Sequence, residues 1–230
     1  MDDEVLRLAV YSSLATTGRA PDRDALGAEL ALSAADVDAG MDRLAAARHV
    51  VLGSAGEVVL AHPFATSPLG FAVMGQRTLW WGGCAWDSFA IPHLVPDVPD
   101  VLVSTRCPAC DAALAWVVDR SAPPRGDEVA HFLVPMAQAW DDVVLTCGNQ
   151  RLFCSTDCVD GWLSVSGHER GYVMDLSTLW RLARSWYDGR LQVGYQRREP
   201  AQAREYFRDV GLDGPFWGLD SAGSQEQERP

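Results

Sequence analysis

The chain has 230 residues and a net charge of −12, with 48% hydrophobic and 22% charged residues. This length allows one large domain or two small ones, and the acidic balance argues against a nucleic-acid binder or an anionic-membrane binder. No apolar run reaches the roughly 18 residues of a membrane span, and the acidic start Met1-Asp2-Asp3-Glu4 lacks the basic region of a secretory signal, so we expect a soluble cytoplasmic protein.

The first 66 residues predict three helices followed by a hairpin. Apolar residues recur at helical spacing over residues 4–16, and a second, short helix begins at Asp24. Ser33 is the predicted N-cap of a third helix that runs through Leu44. Two apolar runs then flank Gly53-Ser-Ala-Gly56, which is typical of a hairpin. This order of elements looks like a winged helix.

A winged helix can bind DNA, or it can be a structural or dimerising module. The third helix would enter the groove, and it carries Asp36, Asp38 and Asp42 against Arg43. Residues 1–66 hold ten acidic residues and five arginines. Because phosphate neutralisation needs clustered cations, we favour the module that does not bind DNA.

Four of the six cysteines form two short-spaced pairs, Cys107 with Cys110 and Cys154 with Cys158. In a cytoplasmic protein such pairs indicate metal or thiol chemistry rather than disulfides. Both pairs lie near predicted strands, at 114–118 and 143–145, and a helix is predicted from Val159 onward. Two such pairs can converge on one tetrahedral zinc ion, as in a treble clef. A redox CxxC and four unrelated thiols remain the alternatives.

Cys84 and Cys147 are left over. Asp87 follows Cys84 by three residues, which on a helix puts the thiol and the carboxylate on one face. We expect Gly82-Gly83 to free the amides at the start of that helix and so to lower the pKa of the thiol. Cys147 is predicted at the end of an apolar strand, where Gly148 permits close approach of a ligand. Two ordinary buried cysteines are the alternative.

The remaining polar residues carry weaker signals. The histidines follow no metal-ligand spacing, and we expect surface or capping positions for them; they include His62, His93, His131 and His168. Asp141-Asp142 is expected to cap or orient the strand before Cys147, or to be a solvated pair. Residues 219–230 are expected to be a polar tail.

Taken together, these residues resemble a divergent branch of the alkylmercury lyases (organomercurial lyases). The resemblance rests on Cys84-Ala85-Trp86-Asp87, on Ile91-Pro92, and on a Phe-x-Ser segment at 152–155 that follows Cys147 and precedes Trp162. It implies an α+β fold, with a winged-helix-like module at 1–66 and a mixed α/β catalytic domain at 67–218. Gly82-Gly83, Trp86 and the four-cysteine zinc set depart from the family pattern.

The resemblance also implies the chemistry. Cys84 and Cys147 would bind mercury, and Asp87 would carry a proton to the leaving carbon, so that R–Hg⁺ and a proton give R–H and Hg²⁺. Thiolates suit this reaction because mercury is a soft metal. No organic cofactor is implied. Hg(II) would stay on the two thiolates until a cellular thiol or a mercuric reductase removes it.

Two further functions remain open from the sequence. The altered site and the extra zinc set motivate a lyase-fold enzyme that acts on a non-mercury substrate in a biosynthetic pathway. A metal-responsive winged-helix regulator is the other, although the acidic third helix weighs against it. For the lyase, we expect Trp81 and Trp86 to line an apolar pocket for the organic group; the alternative is that they fill core.

Overall fold

The computed structural model describes residues 3–220. These residues form eight α-helices, ten β-strands and two short 3₁₀ turns. The helices are α1 (Asp3–Thr17), α2 (Arg23–Leu30), α3 (Ala34–Ala46), α4 (Ala85–Leu94), α5 (Val143–Gly148), α6 (Thr156–Ser166), α7 (Leu176–Arg184) and α8 (Pro200–Asp209). The strands are β1 (Val51–Leu52), β2 (Val58–Ala61), β3 (Phe64–Ala65), β4 (Phe71–Met74), β5 (Leu79–Gly82), β6 (Asp100–Arg106), β7 (Ala113–Asp119), β8 (Val129–Phe132), β9 (Gln150–Phe153) and β10 (Tyr172–Asp175).

The first three helices and the hairpin occur where the sequence places them. The Ser33 hydroxyl accepts a hydrogen bond from the Asp36 amide at 3.2 Å and donates one to the Asp36 carboxylate at 2.6 Å. The serine therefore caps α3 as predicted, while Asp36 bonds the serine side chain. In the hairpin, β1 pairs with β2 in antiparallel fashion.

The larger of two antiparallel sheets has seven strands in the order β1-β2-β3-β5-β4-β6-β7. The hairpin of the N-terminal region and the strands that follow it thus share one sheet. In β6 and β7 buried and exposed residues alternate, so that one face packs on the core. The smaller sheet has the order β10-β8-β9.

Helix α4 is the central element. It packs against α7 on one side and against strands of the larger sheet on the other, and it also contacts β9 of the smaller sheet. All eight residues from Ala85 to Pro92 are buried. A helix enclosed on every side requires apolar or internally partnered side chains all round. The acidic Asp87 in its first turn therefore needs partners inside the protein.

The strand predicted for residues 143–145 is wrong, because these residues begin α5. A short apolar run has no periodicity that separates a strand from a buried helical turn. The local signal that decides is Asp142, whose carboxylate accepts a hydrogen bond from the Leu145 amide at 2.9 Å and so caps the helix. Helix α6 also begins earlier than predicted, at Thr156, because Ser155 caps it.

Two further expectations concern membrane spans and the polar tail. None of the helices between residues 3 and 220 is long and apolar enough to cross a membrane. The predicted polar tail lies outside the described residues, apart from Leu219 and Asp220, and Leu219 is buried.

Truncation of a core residue of α4 should test this packing. Phe89 is fully buried and its ring lies 6.2 Å from that of Trp116. We expect Phe89→Ala to lower the free energy of unfolding by about 3–5 kcal/mol, because it removes a buried ring and leaves a cavity. Val117→Ala is the control, since Val117 is 60% exposed on β7; it should change stability by about 0.5 kcal/mol or less. Equal losses in denaturant melts would contradict the assigned core.

Candidate active site

Cys84 and Asp87 meet at the start of α4. Cys84 is the N-cap residue of this helix, and its Sγ accepts a hydrogen bond from the Asp87 amide at 3.4 Å. Cys84 is 2% exposed and Asp87 is 1% exposed. A thiol and a carboxyl group thus lie together inside the protein, out of contact with bulk water.

The two glycines before Cys84 make room for this arrangement. A Cβ atom on Gly83 would lie 2.4 Å from Oδ2 of Asp87, and a Cβ on Gly82 would lie 2.0 Å from Oγ of Ser88. Neither position has space for a side chain. The glycines therefore permit close packing of the chain onto α4.

The expectation that free amides would lower the pKa of Cys84 is wrong. Burial raises this pKa well above its ordinary value, and the nearby Cys147 thiol and Asp87 carboxylate raise it further. The hydrogen bond from the Asp87 amide acts in the opposite direction and is outweighed. Cys84 is therefore a thiol at neutral pH, because desolvation disfavours the charged form.

Cys147 approaches Asp87 from a different part of the chain. It lies in the last turn of α5, close to the start of β9, and is 5% exposed. One ligand atom each from His62, Asp87 and Cys147 lies within 4.8 Å of the others. The structure thus brings Cys84, Asp87 and Cys147 into one buried cluster, to which it adds a histidine.

His62 and Tyr187 are members of this cluster that sequence reasoning missed. Nδ1 of His62 lies 3.0 Å from Oδ2 of Asp87, and the Tyr187 hydroxyl donates a hydrogen bond to Oδ1 of Asp87. His62 is buried, so the expectation of a surface or capping histidine is wrong here. Asp87 lies 25 residues after His62 and 100 before Tyr187, and no spacing rule connects residues so far apart.

The partners of Asp87 control its charge. Burial by itself raises the pKa of Asp87, but the His62 ring and the Tyr187 hydroxyl outweigh burial and lower the pKa below its usual value. Burial by itself lowers the pKa of His62, but the negative charge of Asp87 and the hydrogen bond to its carboxylate, together with the neighbouring Cys147 sulfur, outweigh burial and raise the pKa. Each member of the pair favours the charged form of the other.

A cavity of about 340 Å³ lies beside Cys147. It is lined by Gly148, Asn149, Arg151 and Trp162, and on its other side by the turn that carries Cys107. Apart from the adjoining residues and the backbone of α5, no atom of the described residues lies within 4 Å of the position that a Cβ on Gly148 would take. The cavity therefore borders Gly148, the residue that follows Cys147, while Cys147 itself does not line it.

The two tryptophans expected in a substrate pocket lie in different surroundings. Trp86 is buried, its ring lies 4.7 Å from that of Trp186, and its indole N–H donates to the Leu182 carbonyl at 3.1 Å. Trp81 lines a separate groove of about 960 Å³ between the α1–α2 connection and the hairpin. A pocket role for either residue stays a prediction.

The other four cysteines also converge. One sulfur atom each from Cys107, Cys110, Cys154 and Cys158 lies within 4.8 Å of the others, and Sγ of Cys110 is 3.6 Å from Sγ of Cys154. Cys107 and Cys110 occupy the turn between β6 and β7, while Cys154 and Cys158 flank the start of α6. The cluster thus joins the larger sheet to α6.

The thiols of this cluster have divergent acidities. Burial opposes ionisation of Cys107, but hydrogen bonds from the backbone amides of Cys154, Cys110 and Ala109 outweigh it and lower its pKa to about 7. Burial, together with the neighbouring thiols, raises the pKa of Cys154 to about 12. A cation placed among the four sulfurs would lower all of these values, since it favours thiolates.

Comparison with known proteins identifies one family. The alkylmercury lyase (MerB) family model matches residues 64–188, which is more than half of the chain. A solved structure, the mercury-bound form of MerB2, is 17% identical with a TM-score of 0.64, and the match covers 84% of this chain and 93% of that one. At this identity the likeness concerns the fold. No curated protein matches the chain.

The charge of Asp87 should govern the reactivity of the Cys84 thiol. Asp87→Asn removes a negative charge that raises the pKa of Cys84. A lower pKa gives more thiolate at a fixed pH, about tenfold more per unit while the thiol form dominates, so Cys84 should be alkylated faster in the variant. Mass spectrometry of metal-free protein treated at about pH 8 measures this, because the thiolate is the reacting form. Exposed Cys110 is the internal reference. Unchanged or slower alkylation of Cys84 would contradict the assignment.

Proposed function

Because the chain belongs to the alkylmercury lyase family, we propose that its Cys84, Asp87 and Cys147 break the carbon–mercury bond of a small organomercurial. Enzymes of this family replace the carbon–mercury bond of the substrate by a carbon–hydrogen bond. The observation that carries the assignment is the buried Asp87 carboxyl group beside two buried cysteines, Cys84 and Cys147. Soft thiolates hold mercury, and a carboxyl group beside them holds the proton that the carbon needs.

The protons balance over the two thiols. One R–Hg⁺ and two cysteine thiols give R–H, a mercury ion bound by two thiolates, and one proton left over. Each thiol loses its proton as its sulfur binds mercury. Asp87 accepts one of these protons and delivers it to the carbon as the carbon–mercury bond breaks, so that the bonding electron pair goes to the new C–H bond.

The raised pKa of Cys84 suits this sequence of steps. A thiol that stays protonated in the free enzyme keeps its proton inside the site until mercury displaces it. Asp87 is the adjacent acceptor, and its lowered pKa keeps it ionised and ready to accept. Burial serves the last step as well, because it excludes water that would otherwise compete for the proton.

The cellular location of the enzyme and the release of its product follow from the thiol chemistry of the site. The enzyme needs reduced thiols, which persist in the cytoplasm, and we place it there. The product Hg(II) is held by two thiolates, so its release requires a competing ligand, such as cellular thiols or a mercuric reductase. The organic substrate reaches Cys147 through the cavity beside Gly148. The mechanism assigns no step to an organic cofactor.

Residues 1–66 act as a winged-helix-like module that does not read DNA, and residues 67–218 as the catalytic domain. Two of the arginines near the module's third helix, Arg43 and Arg23, are engaged by acids. Arg43 contacts Asp3 at 2.7 Å, and Arg23 forms an ion pair with Asp38. Cations neutralised in this way are poor ligands for phosphates. The module contributes packing instead, since the Trp80 indole N–H donates to the Leu14 carbonyl at 3.0 Å.

The four-cysteine cluster is proposed to hold a structural zinc ion. A tetrahedral zinc with sulfur ligands at about 2.3 Å separates its sulfurs by about 3.8 Å, close to the 3.6 Å between Cys110 and Cys154. Cys107, Cys110, Cys154 and Cys158 would be the ligands. Four thiolates leave no position for water or substrate, so the ion would stabilise the junction of the sheet with α6 and take no part in the reaction.

Replacement of Asp87 should separate mercury binding from bond cleavage. We expect Asp87→Ala to bind mercury through Cys84 and Cys147 but to lose release of benzene from phenylmercury, because no group remains to deliver the proton. Gas chromatography of benzene, with excess small thiol present, measures turnover. Cys84→Ser and Cys147→Ser should each abolish it. Full turnover by Asp87→Ala would refute the proton role.

Metal analysis should test the zinc site. Purified protein should contain about one zinc ion per chain, since four thiolates complete one tetrahedral shell. Cys107→Ser should lose the metal. Cys147→Ser is the matched control, because it removes a thiol of the other cluster and should keep the zinc. Metal-free wild-type protein, or loss of zinc in the control alone, would disprove the assignment.

A further inference from the structure

The two oxygens of the Asp87 carboxylate are held from opposite parts of the chain. His62, in the turn between β2 and β3, lies 3.0 Å from Oδ2, and Tyr187, just after α7, bonds Oδ1 through its hydroxyl. All three side chains are more than nine-tenths buried. Each oxygen of the proposed proton carrier thus has its own partner inside the protein.

The direction of the histidine bond follows from the charge of Asp87. An ionised carboxylate only accepts hydrogen bonds, so Nδ1 of His62 carries the proton and donates it. Nε2 of the same ring is buried and has no hydrogen-bond partner among residues 3–220. The bond to Asp87 is therefore the polar contact that fixes this ring.

Arg190 fixes both partners in turn. Its guanidinium is 4% exposed, donates to the His62 carbonyl at 2.6 Å, and lies 4.7 Å from the centre of the Tyr187 ring. It also donates to the Tyr195 hydroxyl at 2.8 Å. A buried cation with planar, rigid geometry locks the groups that it contacts. Arg190 therefore contacts both residues that bond Asp87.

We propose that His62 and Tyr187 are positioning residues that fix the Asp87 carboxylate for proton delivery to the carbon. The proposal rests on the proposed function of Asp87. With a donor on each oxygen, the carboxylate cannot rotate freely about its bond to Cβ. One carboxylate oxygen then stays within 4.8 Å of the Cys147 sulfur. Small displacements of a catalytic group reduce rates strongly, so fixing this group favours turnover.

Kinetics separate positioning from binding. His62 and Tyr187 act through Asp87, so their loss should lower kcat while KM and the binding of Hg(II) by the two cysteines stay near wild type. Loss of a supporting hydrogen bond to an active-site ligand lowers activity by about 10- to 100-fold. A residue needed only for folding would instead lower the amount of active enzyme and the melting temperature, and leave kcat per active site unchanged.

The histidine can be tested by two amides of different reach. In His62→Asn the side-chain amide nitrogen falls near the position of Nδ1, whereas in His62→Gln it falls near that of Nε2. Because Nδ1 makes the bond, Asn should retain much of the kcat for benzene release from phenylmercury, and Gln should lose about 10- to 100-fold. Tyr187→Phe deletes the hydroxyl alone and should lower kcat about as much as His62→Gln does.

A control and an independent readout complete the experiment. His131→Asn changes a histidine that is fully buried on β8 and accepts a bond from the Gly171 amide; it should lower the melting temperature and keep kcat per mercury-binding site. The His62 Nδ1 proton should give a downfield NMR signal in wild-type protein that is lost in Asp87→Ala, whatever the enzyme turns over.

The outcomes distinguish the positioning role of His62 and Tyr187 from the proposed reaction itself. Equal kcat in His62→Gln, His62→Asn and wild type would overturn the positioning role and leave the proposed reaction intact. A wild-type protein that shows the NMR signal but releases no benzene would overturn the proposed function and, with it, this role for the two residues. A lower kcat in His62→Gln and in Tyr187→Phe, with most of the kcat retained in His62→Asn, supports the proposal.

Discussion

The constraint that organises this molecule is the enclosure of one carboxylate. Removing an ionised carboxyl group from water is strongly unfavourable unless hydrogen bonds and opposite charge replace the lost hydration. Asp87 is 1% exposed, so the rest of the structure must supply that replacement. The ring of His62 and the hydroxyl of Tyr187 provide hydrogen bonds to the carboxylate. The absence of a side chain at Gly83 leaves the space that the carboxylate occupies.

The enclosure also shifts the pKa values of Cys84 and Asp87, which lie next to each other, in opposite directions. The pKa of Cys84 is raised by burial and by neighbouring negative groups, while the pKa of Asp87 is lowered by its donors. Environments that shift two neighbouring pKa values in opposite directions assign one group to hold a proton and the other to accept it. In the proposed reaction the thiol of Cys84 holds the proton and the carboxylate of Asp87 accepts it, which is the order that protonolysis of a carbon–mercury bond requires.

Sequence patterns predicted the parts of this structure that depend on local rules. Helical spacing and the Ser33 cap predicted the first three helices, and cysteine spacing divided the six thiols into the two clusters that form. The same reasoning failed where the signal was short or distant. Residues 143–145 gave too little periodicity to show a helix, although Asp142 was available as its cap. His62 and Tyr187 carry no motif, because only the packing of α4 brings them to Asp87.

The contact between α1 and the segment that follows α7 has a consequence for biosynthesis. Arg7 in α1 donates to the Arg190 carbonyl at 2.5 Å, and Arg190 joins Tyr187 to His62. The ribosome synthesises α1, His62, Cys84 and Cys147 before the segment that carries Tyr187 and Arg190. Contacts this distant in sequence form late, because closing so long a loop is entropically unfavourable. The acid–base centre is thus complete only after the segment that carries Tyr187 and Arg190 has been synthesised and has packed against His62 and Asp87.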